Sequence, residues 1–172
     1  MNKITKLLCT AALACAAIGL SLSAHAAVTD QDKAFLTKAS QANFDEIKLS
    51  ELAENKATNP QVKAFAHKMV TDHTALGHQM MPFAQAWGIN PADSLDADHQ
   101  SLYDKLQGLS GAQFDKQYMD AMLKDHQEAV HLFTQEAQTT TDQKFKQTVM
   151  HGKSVVTAHL KMAESLDPKL QG

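Results

Sequence analysis

GINPADSLDADHQSLYDKLQGLSG, residues 88–111, is the stretch that decides how this chain folds. Leu95, Leu102 and Leu106 recur within it at helical spacing, which predicts a short helix over about residues 95–106. The whole stretch is much longer than the tight turn that joins neighbouring antiparallel helices. It therefore predicts a crossover along the length of a helical bundle, so that the helices before and after it run parallel.

Long helical patterns lie on both sides of this crossover, two before it and two after it. Their apolar residues recur every three or four positions, whereas those of a strand would alternate every two. Asn59 followed by Pro60 is typical of a helix start, and Gly88 of a helix end. Pro82 lies inside the second pattern and predicts that the last turns are kinked or weakened. The four long helices are expected over about residues 30–56, 60–87, 112–138 and 142–166.

Two short connections on either side of one long crossover are the wiring of ferritin-like bundles. The pattern thus predicts an all-α protein, a ferritin-like four-helix bundle in which the crossover and its short helix join the second and third long helices. An irregular array of five helices is the alternative. The length of the chain suits one domain with one core rather than two.

The N-terminus has the three parts of a secretory signal peptide. Lys3 and Lys6 precede a short apolar stretch, and Ala24 and Ala26 form a small-residue cleavage site. An uncleaved membrane anchor is the alternative, which the shortness of the apolar stretch disfavours. Cleavage after Ala26 predicts an exported, periplasmic protein. Its parts are the signal peptide, residues 1–26, and a helical bundle domain, residues 27–172.

Composition excludes several classes of function. Cys9 and Cys15 both lie in the predicted signal, so the exported domain has neither a disulfide nor a thiolate ligand. A Gly-x-Ser-x-Gly elbow and a glycine-rich phosphate loop are also missing, so no catalytic residue is predicted and an enzyme is not favoured. The formal net charge is −3 without a basic cluster, which argues against a nucleic-acid partner. No membrane span is expected after cleavage.

Each long helix carries one polar residue on its apolar stripe, in the middle or later-middle of the helix. Glu46 lies between Ala42 and Leu49 in the first helix, in the rhythm that the apolar residues follow. In each of the other three helices the polar residue is a histidine. Mid-helix positions of a bundle can share a layer, so these side chains are predicted to converge near the bundle axis. The four residues are Glu46, His73, His126 and His159.

An internal repeat includes two of these histidines. Residues 69–78, MVTDHTALGH, and residues 122–131, MLKDHQEAVH, both read M-x-x-D-H-x-x-x-x-H. Because the second and third long helices are predicted to run parallel, the repeat would place equivalent atoms side by side. The alternative is coincidence in a chain that is rich in histidine and methionine.

Histidine and glutamate are common ligands of transition metals. A neutral imidazole suits zinc, copper and iron, and one carboxylate with two or three imidazoles forms a common metal site. The four polar residues on the stripes are therefore predicted to bind one zinc, iron or copper ion. The alternative is a hydrogen-bond network of these residues and water without a metal, since buried polar groups have to be paired.

Four residues beside the predicted ligands are expected to support such a site. Asp72 and Asp125 are predicted to bond the second nitrogen of a ligand histidine on a neighbouring helix. Met69 and Met122 lie one turn before the two repeat histidines, and their thioethers would suit Cu(I). The alternatives are surface carboxylates and ordinary core packing. The remaining histidines, His67, His78, His99, His131 and His151, are expected to be solvated.

Several segments carry a resemblance to a known family. Residues 65–73, FAHKMVTDH, and residues 109–119, LSGAQFDKQYM, together with Asp125 and His126, resemble a family of bacterial exported proteins. That family is catalogued as domain of unknown function 4142. The resemblance extends over about residues 32–166 and implies export and a ferritin-like fold.

The last long helix departs from the family pattern. Residues 152–156, GKSVV, stand where the family usually has a Pro-Thr-Leu-like segment, although His159 itself matches. Because the family's activity is unassigned, the resemblance leaves the function open.

Taken together, the sequence predicts an exported, periplasmic bundle that binds one transition metal and acts in metal handling or envelope stress. A metal-free structural or partner-binding envelope protein is the main alternative, and a metal-dependent redox enzyme is a weaker one. A homo-oligomer is compatible with the sequence, which specifies no other protein partner.

Overall fold

The computed structural model describes residues 28–166, so the predicted signal peptide lies outside the described residues. These residues form five helices and contain no strand. Within the same range, no helix combines the length and apolarity needed to cross a bilayer. The helices are α1 (Asp30–Lys56), α2 (Pro60–Trp87), α3 (Ala97–Gly108), α4 (Gly111–Thr139) and α5 (Gln143–Leu166).

Local capping explains where several helices begin and end. The Asn59 side chain accepts hydrogen bonds at the start of α2, and Gly88 ends that helix in the left-handed region with φ of 68°. α2 continues through Pro82 to Trp87. The short helix α3 begins later than the expected residue 95, because the Asp96 side chain caps it by accepting a hydrogen bond from the backbone N–H of His99.

The four long helices have the wiring that the crossover predicts. α1 packs against α2 and α4, and α5 packs against α4 and α2. Gln31 near the start of α1 bonds Thr139 at the end of α4, whereas Ser50 later in α1 bonds Tyr118 early in α4. α1 and α4 are therefore antiparallel.

The helices on either side of the crossover run parallel. Phe65 of α2 lies beside Tyr118 of α4, and His73, later in α2, lies beside His126, later in α4. The short helix α3 packs against α1 and α4. The ferritin-like four-helix bundle with a long crossover is thus confirmed.

Two apolar clusters fill the interior. One is built around Phe65, Met69 and Met122, and the other around Phe35 and Phe145. Each fully buried side chain of this size contributes about 1.5–3 kcal/mol to the free energy of unfolding. Along α2, α4 and α5, the residues between the two clusters include one buried histidine per helix.

A glycine lets α5 approach α4 closely beside this layer. Gly152 is buried in α5, and a Cβ atom added there would clash with the ring of Phe133 from α4. The Phe133 ring therefore occupies the space that a larger residue at position 152 would need.

Candidate metal centre

Three histidines from three helices meet in the layer between the apolar clusters. His73 of α2, His126 of α4 and His159 of α5 are 5%, 1% and 0% exposed. Their ring centroids lie 5.2 to 5.7 Å apart. One ring nitrogen from each lies within 4.8 Å of one from each of the other two. Such a cluster of nitrogens has the dimensions of a metal site.

Each of these rings has one nitrogen bound to an oxygen of the protein. Nδ1 of His73 lies 3.1 Å from Oδ1 of Asn43, and Nδ1 of His126 lies 2.8 Å from the backbone carbonyl oxygen of Met122. Nε2 of His159 lies 2.8 Å from a carboxylate oxygen of Asp72. Because these oxygens act as acceptors, the three nitrogens carry the protons. The network thus assigns the tautomer of all three neutral rings.

The second nitrogen of each ring has no hydrogen-bond partner. These atoms are Nε2 of His73, Nε2 of His126 and Nδ1 of His159, and all three are buried. A buried polar atom without a partner costs about 1–3 kcal/mol. A metal ion would satisfy all three lone pairs together, and the bonds to the opposite nitrogens would hold each ring in orientation.

Burial keeps these rings neutral. It lowers the pKa of His126 to about 4, with a smaller contribution from the nearby His159. Burial, reinforced by the neighbouring His126 and His159, lowers the pKa of His73 well below its ordinary value. Burial also lowers the pKa of His159, although the hydrogen bond to Asp72 opposes this shift. Metal ligands have to be deprotonated, so at neutral pH the three rings are in the form that binds a metal.

Glu46, the fourth predicted ligand, lies outside the group of three histidines. Its Oε1 is 3.5 Å from Nδ1 of His126, the nitrogen that is already bonded to Met122. Burial, reinforced by repulsion from Asp125, raises the pKa of Glu46 well above its ordinary value. Burial thus favours the neutral form of the carboxyl group beside His126, and the role of Glu46 as a ligand stays a prediction.

The two aspartates of the internal repeat have different partners. Asp72 binds His159 of a neighbouring helix, and the same carboxylate oxygen lies 2.8 Å from Nζ of Lys68. Asp125 instead lies against His99, with 3.5 Å between its Oδ2 and Nε2 of that ring. The repeat therefore places its histidines together and points its carboxylates at different rings.

Met69 and Met122 belong to the apolar cluster beneath the histidines. Both side chains are completely buried and pack in the same cluster as Phe65. Met122 contributes its backbone carbonyl to the site through the bond to His126. Binding of a metal by either thioether stays a prediction.

His99 was expected to be solvated, and the structure shows that this expectation was wrong. Its side chain is 21% exposed, with Nδ1 at 2.9 Å from Asp96 and 3.4 Å from Asp45, and Nε2 at 3.5 Å from Asp125. The interaction with Asp125, opposed by burial and supported by Asp96 and Asp45, raises the pKa of His99 to about 9. The ring is therefore a cation at neutral pH. The other four histidines that were expected to be solvated, His67, His78, His131 and His151, are exposed.

One cavity borders both groups of polar residues. It has a volume of about 630 Å³, and its lining includes His73 and His126 of the three-histidine cluster. It also includes Asp45, His99 and Asp125. The two groups thus face a common space between the crossover and the helices.

Comparisons with known sequences identify a family match. The model of the family described as "Domain of unknown function (DUF4142)" matches residues 19–166. No curated protein matches the sequence.

Solved structures with the same fold come from proteins of low sequence identity. A DUF305 fragment from Deinococcus radiodurans is 15% identical with a TM-score of 0.72, and the similarity covers 82% of this chain and 97% of that one. CopM in the Cu(I)-bound form is 23% identical with a TM-score of 0.69, over 85% of this chain and 100% of that one. CopM in the Cu(II)-bound form is 21% identical with a TM-score of 0.68, over 83% and 97%. At these identities the similarity demonstrates a shared fold alone.

Proposed function

This chain belongs to the DUF4142 family, whose description assigns no function, and we propose that it binds one transition-metal ion through His73, His126 and His159. The observation that carries this proposal is the set of three buried ring nitrogens without partners. A set of three neutral imidazoles is a familiar ligand set for such ions. The neutral state of the rings at pH 7 supports the same proposal.

The donor atoms restrict the metal. Imidazole nitrogens suit copper, zinc and iron, whereas calcium and magnesium prefer oxygen. Structures of CopM, which shares the fold, are known in Cu(I)-bound and Cu(II)-bound forms. Copper is therefore the first metal to test for this chain, followed by zinc.

The proposed role is metal handling in the periplasm, that is, holding an ion in a buried site rather than turning over a substrate. The predicted signal peptide, residues 1–26, supports the location. The hydrogen bonds to Asn43, Met122 and Asp72 support a binding role, because partners of this kind orient ligand rings and raise metal affinity.

Whether Glu46 is a fourth ligand is a separate question within this proposal. To act as a fourth ligand, its carboxyl group would have to turn from the Nδ1 edge of His126 towards the unpartnered nitrogens. A Glu46→Gln variant tests this role, because the amide is similar in shape to the neutral carboxyl but is a much poorer ligand. An affinity unchanged by this variant assigns the binding to the histidines alone.

Metal titration of the exported domain tests the proposal. The protein is freed of metal with a chelator and titrated with Cu⁺ under reducing, anaerobic conditions against a competing chelator, and with Zn²⁺ by calorimetry. We expect one Cu⁺ per chain, and variants His73→Gln, His126→Gln and His159→Gln should each lose at least about tenfold in affinity.

The repeat provides matched controls for this titration. His78 and His131 occupy the same place in the two repeat segments and are exposed, so His78→Gln and His131→Gln should bind as the wild type does. The proposal is wrong if no metal binds stoichiometrically, or if the buried and the exposed variants lose affinity equally.

A further inference from the structure

We propose a second cation site, formed by Asp45 of α1 with Asp96 and His99 at the start of α3, that takes a divalent first-row ion such as Zn²⁺ or Mn²⁺. It lies apart from the three-histidine cluster and shares no ligand with it. The inference goes beyond the proposed function and does not depend on it. It rests on the geometry around the His99 ring, the burial of Asp45 and the orientation of Asp125.

The candidate ligand atoms already have the spacing of a coordination sphere. Nδ1 of His99 lies 2.9 Å from Oδ1 of Asp96 and 3.4 Å from Oδ2 of Asp45. All three atoms lie within 4.8 Å of one another. Bonds of about 2.1 Å in a tetrahedral site place ligand atoms about 3.4 Å apart. A divalent ion can therefore enter between these atoms with little movement of the backbone, and its binding releases the proton that Nδ1 of His99 carries in the metal-free protein.

Asp45 provides an independent sign of a ligand. Its side chain is completely buried, and its Oδ1 accepts hydrogen bonds from Gln41 and from the backbone N–H of Asp96. Its Oδ2 is buried without a hydrogen-bond partner and faces Nδ1 of His99. A fully buried carboxylate oxygen is costly unless a cation or a donor satisfies it. In the metal-free protein the charged His99 ring balances this carboxylate from 3.4 Å without a hydrogen bond. A divalent ion that displaces the Nδ1 proton of His99 would bind the oxygen directly.

Asp125 lies where an orienting carboxylate of such a site would be expected, 3.5 Å from the ring. Its Oδ2 approaches Nε2 of His99, on the opposite side of the ring from Asp45 and Asp96. A carboxylate that binds the far nitrogen of a ligand histidine fixes the tautomer and increases the basicity of the near nitrogen. The arrangement is thus carboxylate, imidazole and cation in series, with Asp125 as the orienting group.

The ligand types separate this site from the three-histidine cluster. Two carboxylates and one imidazole suit Zn²⁺ or Mn²⁺, whereas soft Cu(I) favours ligands without hard anionic oxygens. Asp45, Asp96 and Asp125 come from α1, the residue before α3, and α4. An ion held by Asp45, Asp96 and His99 would tie the crossover to α1, beside the cavity that also borders His73 and His126.

Zinc titration of the chelator-treated exported domain tests this site. The wild type is expected to bind two Zn²⁺ ions, one at each site. The Asp96→Asn variant keeps a side chain that caps helices well, so α3 should still form while the ligand charge is lost. We expect this variant to weaken the second ion about 10- to 100-fold and to leave the first unchanged. His99→Gln should have the same effect.

A neighbouring carboxylate is the matched control. Asp93 is exposed in the same connection, and Asp93→Asn should bind two Zn²⁺ ions as the wild type does. Circular dichroism of each variant verifies that the helices are intact. The inference is overturned if Asp96→Asn and His99→Gln keep both ions at wild-type affinity, or if the wild type binds a single ion that Asp96→Asn retains.

His126→Gln separates the failure of this inference from the failure of the proposed function. If Zn²⁺ is lost from Asp96→Asn and kept by His126→Gln, the second site stands and the three-histidine site falls. If Zn²⁺ is lost only from His126→Gln, the three-histidine site stands and the second site falls. If Asp96→Asn binds Cu⁺ with wild-type affinity, this result supports the proposal that the two sites prefer different metals.

Discussion

His126 and His99 border the same cavity, yet their surroundings move their pKa values in opposite directions. His126 is enclosed by apolar residues, two other imidazoles and the buried Glu46 carboxyl, and burial lowers its pKa to about 4. His99 lies among three carboxylates, and its interaction with Asp125, opposed by burial and helped by the other two, raises its pKa to about 9. One ring is neutral at pH 7 and the other is a cation.

The difference shows that burial alone does not decide what a polar residue does in this bundle. A buried imidazole whose neighbours are neutral keeps a free lone pair, which a metal ion can use. In the metal-free protein, a half-buried imidazole among carboxylates holds a proton that balances part of their charge, and an ion bound there has to displace that proton. The two groups should therefore respond differently to added metal and to substitution.

The largest expected effect is metal-dependent stabilisation of the three-histidine cluster. A ligand that binds only the folded state at 1,000 times its Kd adds about 4 kcal/mol to the free energy of unfolding. We expect Cu⁺ to stabilise the wild type by about this amount at that excess, and to stabilise His126→Gln by at least about 1.4 kcal/mol less, which corresponds to the tenfold loss of affinity. Urea unfolding with and without Cu⁺ under reducing conditions measures it. Equal stabilisation of both proteins would argue against the cluster as the site.

The next largest effect is the difference in stability between variants of His99 and of His126 in the metal-free protein. His99→Gln removes the cation beside the completely buried Asp45 and leaves that carboxylate uncompensated. We expect this to lower the free energy of unfolding by about 2 kcal/mol. This loss is smaller than for a fully buried ion pair, because His99 is partly exposed. His126→Leu removes a neutral ring with one unpartnered nitrogen, so it should change stability by less than about 1 kcal/mol.

Urea unfolding at pH 7 in the presence of a chelator compares these two variants. Because both lose an imidazole, the comparison isolates the partners of the ring. A larger loss of stability for His126→Leu than for His99→Gln would contradict the assignment of a neutral and a charged ring.

A buried carboxyl at the end of the bundle extends the comparison to another residue type. Glu136 is 2% exposed, and burial together with the neighbouring Asp32 raises its pKa from 4.5 to about 7. Between pH 4.5 and about 7, the Glu136 carboxyl is therefore protonated in the folded protein and ionised in the unfolded chain. This contribution to stability is complete below about pH 4.5 and is lost as the pH rises through 7.

Glu136→Gln keeps a neutral side chain at all pH values, so it should be more stable than the wild type by about 1–2 kcal/mol at pH 8 and nearly equal to it at pH 4.5. Urea unfolding across this range measures the difference. Glu128, which is exposed on the same helix, provides the control variant Glu128→Gln, with no pH-dependent gain. A constant difference between Glu136→Gln and the wild type from pH 4.5 to 8 would count against the raised pKa.

The smallest effect is expected at the exposed histidines of the repeat. His78→Gln and His131→Gln should each change the free energy of unfolding by less than about 0.5 kcal/mol, because both side chains are exposed. Urea unfolding with and without Cu⁺ should give the wild-type result. A marked change in Cu⁺ stabilisation would place a ligand at the surface rather than in the bundle.

The sequence is sufficient to predict the fold and the convergence of the three histidines. Helical spacing places His73, His126 and His159 on the buried faces of their helices, and the length of residues 88–111 determines which helices are parallel. Both signals are local along the chain. They therefore needed no knowledge of distant contacts.

Spacing does not determine which edge of a ring a neighbouring side chain approaches. Glu46 was placed in the correct layer, but its side chain lies beside the hydrogen-bonded nitrogen of His126. The surroundings of His99 were missed because Asp45 and Asp125 come from helices far along the chain. Only Asp96, three residues before His99, was a visible signal.

NMR of the imidazole nitrogens in the metal-free bundle domain, residues 27–172, at pH 7 is the most direct test of the three-histidine site. Long-range correlation of ring protons with ¹⁵N should show His73 and His126 protonated on Nδ1, His159 protonated on Nε2 and His99 protonated on both nitrogens. Added Cu⁺ should then shift Nε2 of His73, Nε2 of His126 and Nδ1 of His159. A doubly protonated ring among these three, or nitrogens that Cu⁺ leaves unchanged, would contradict the account.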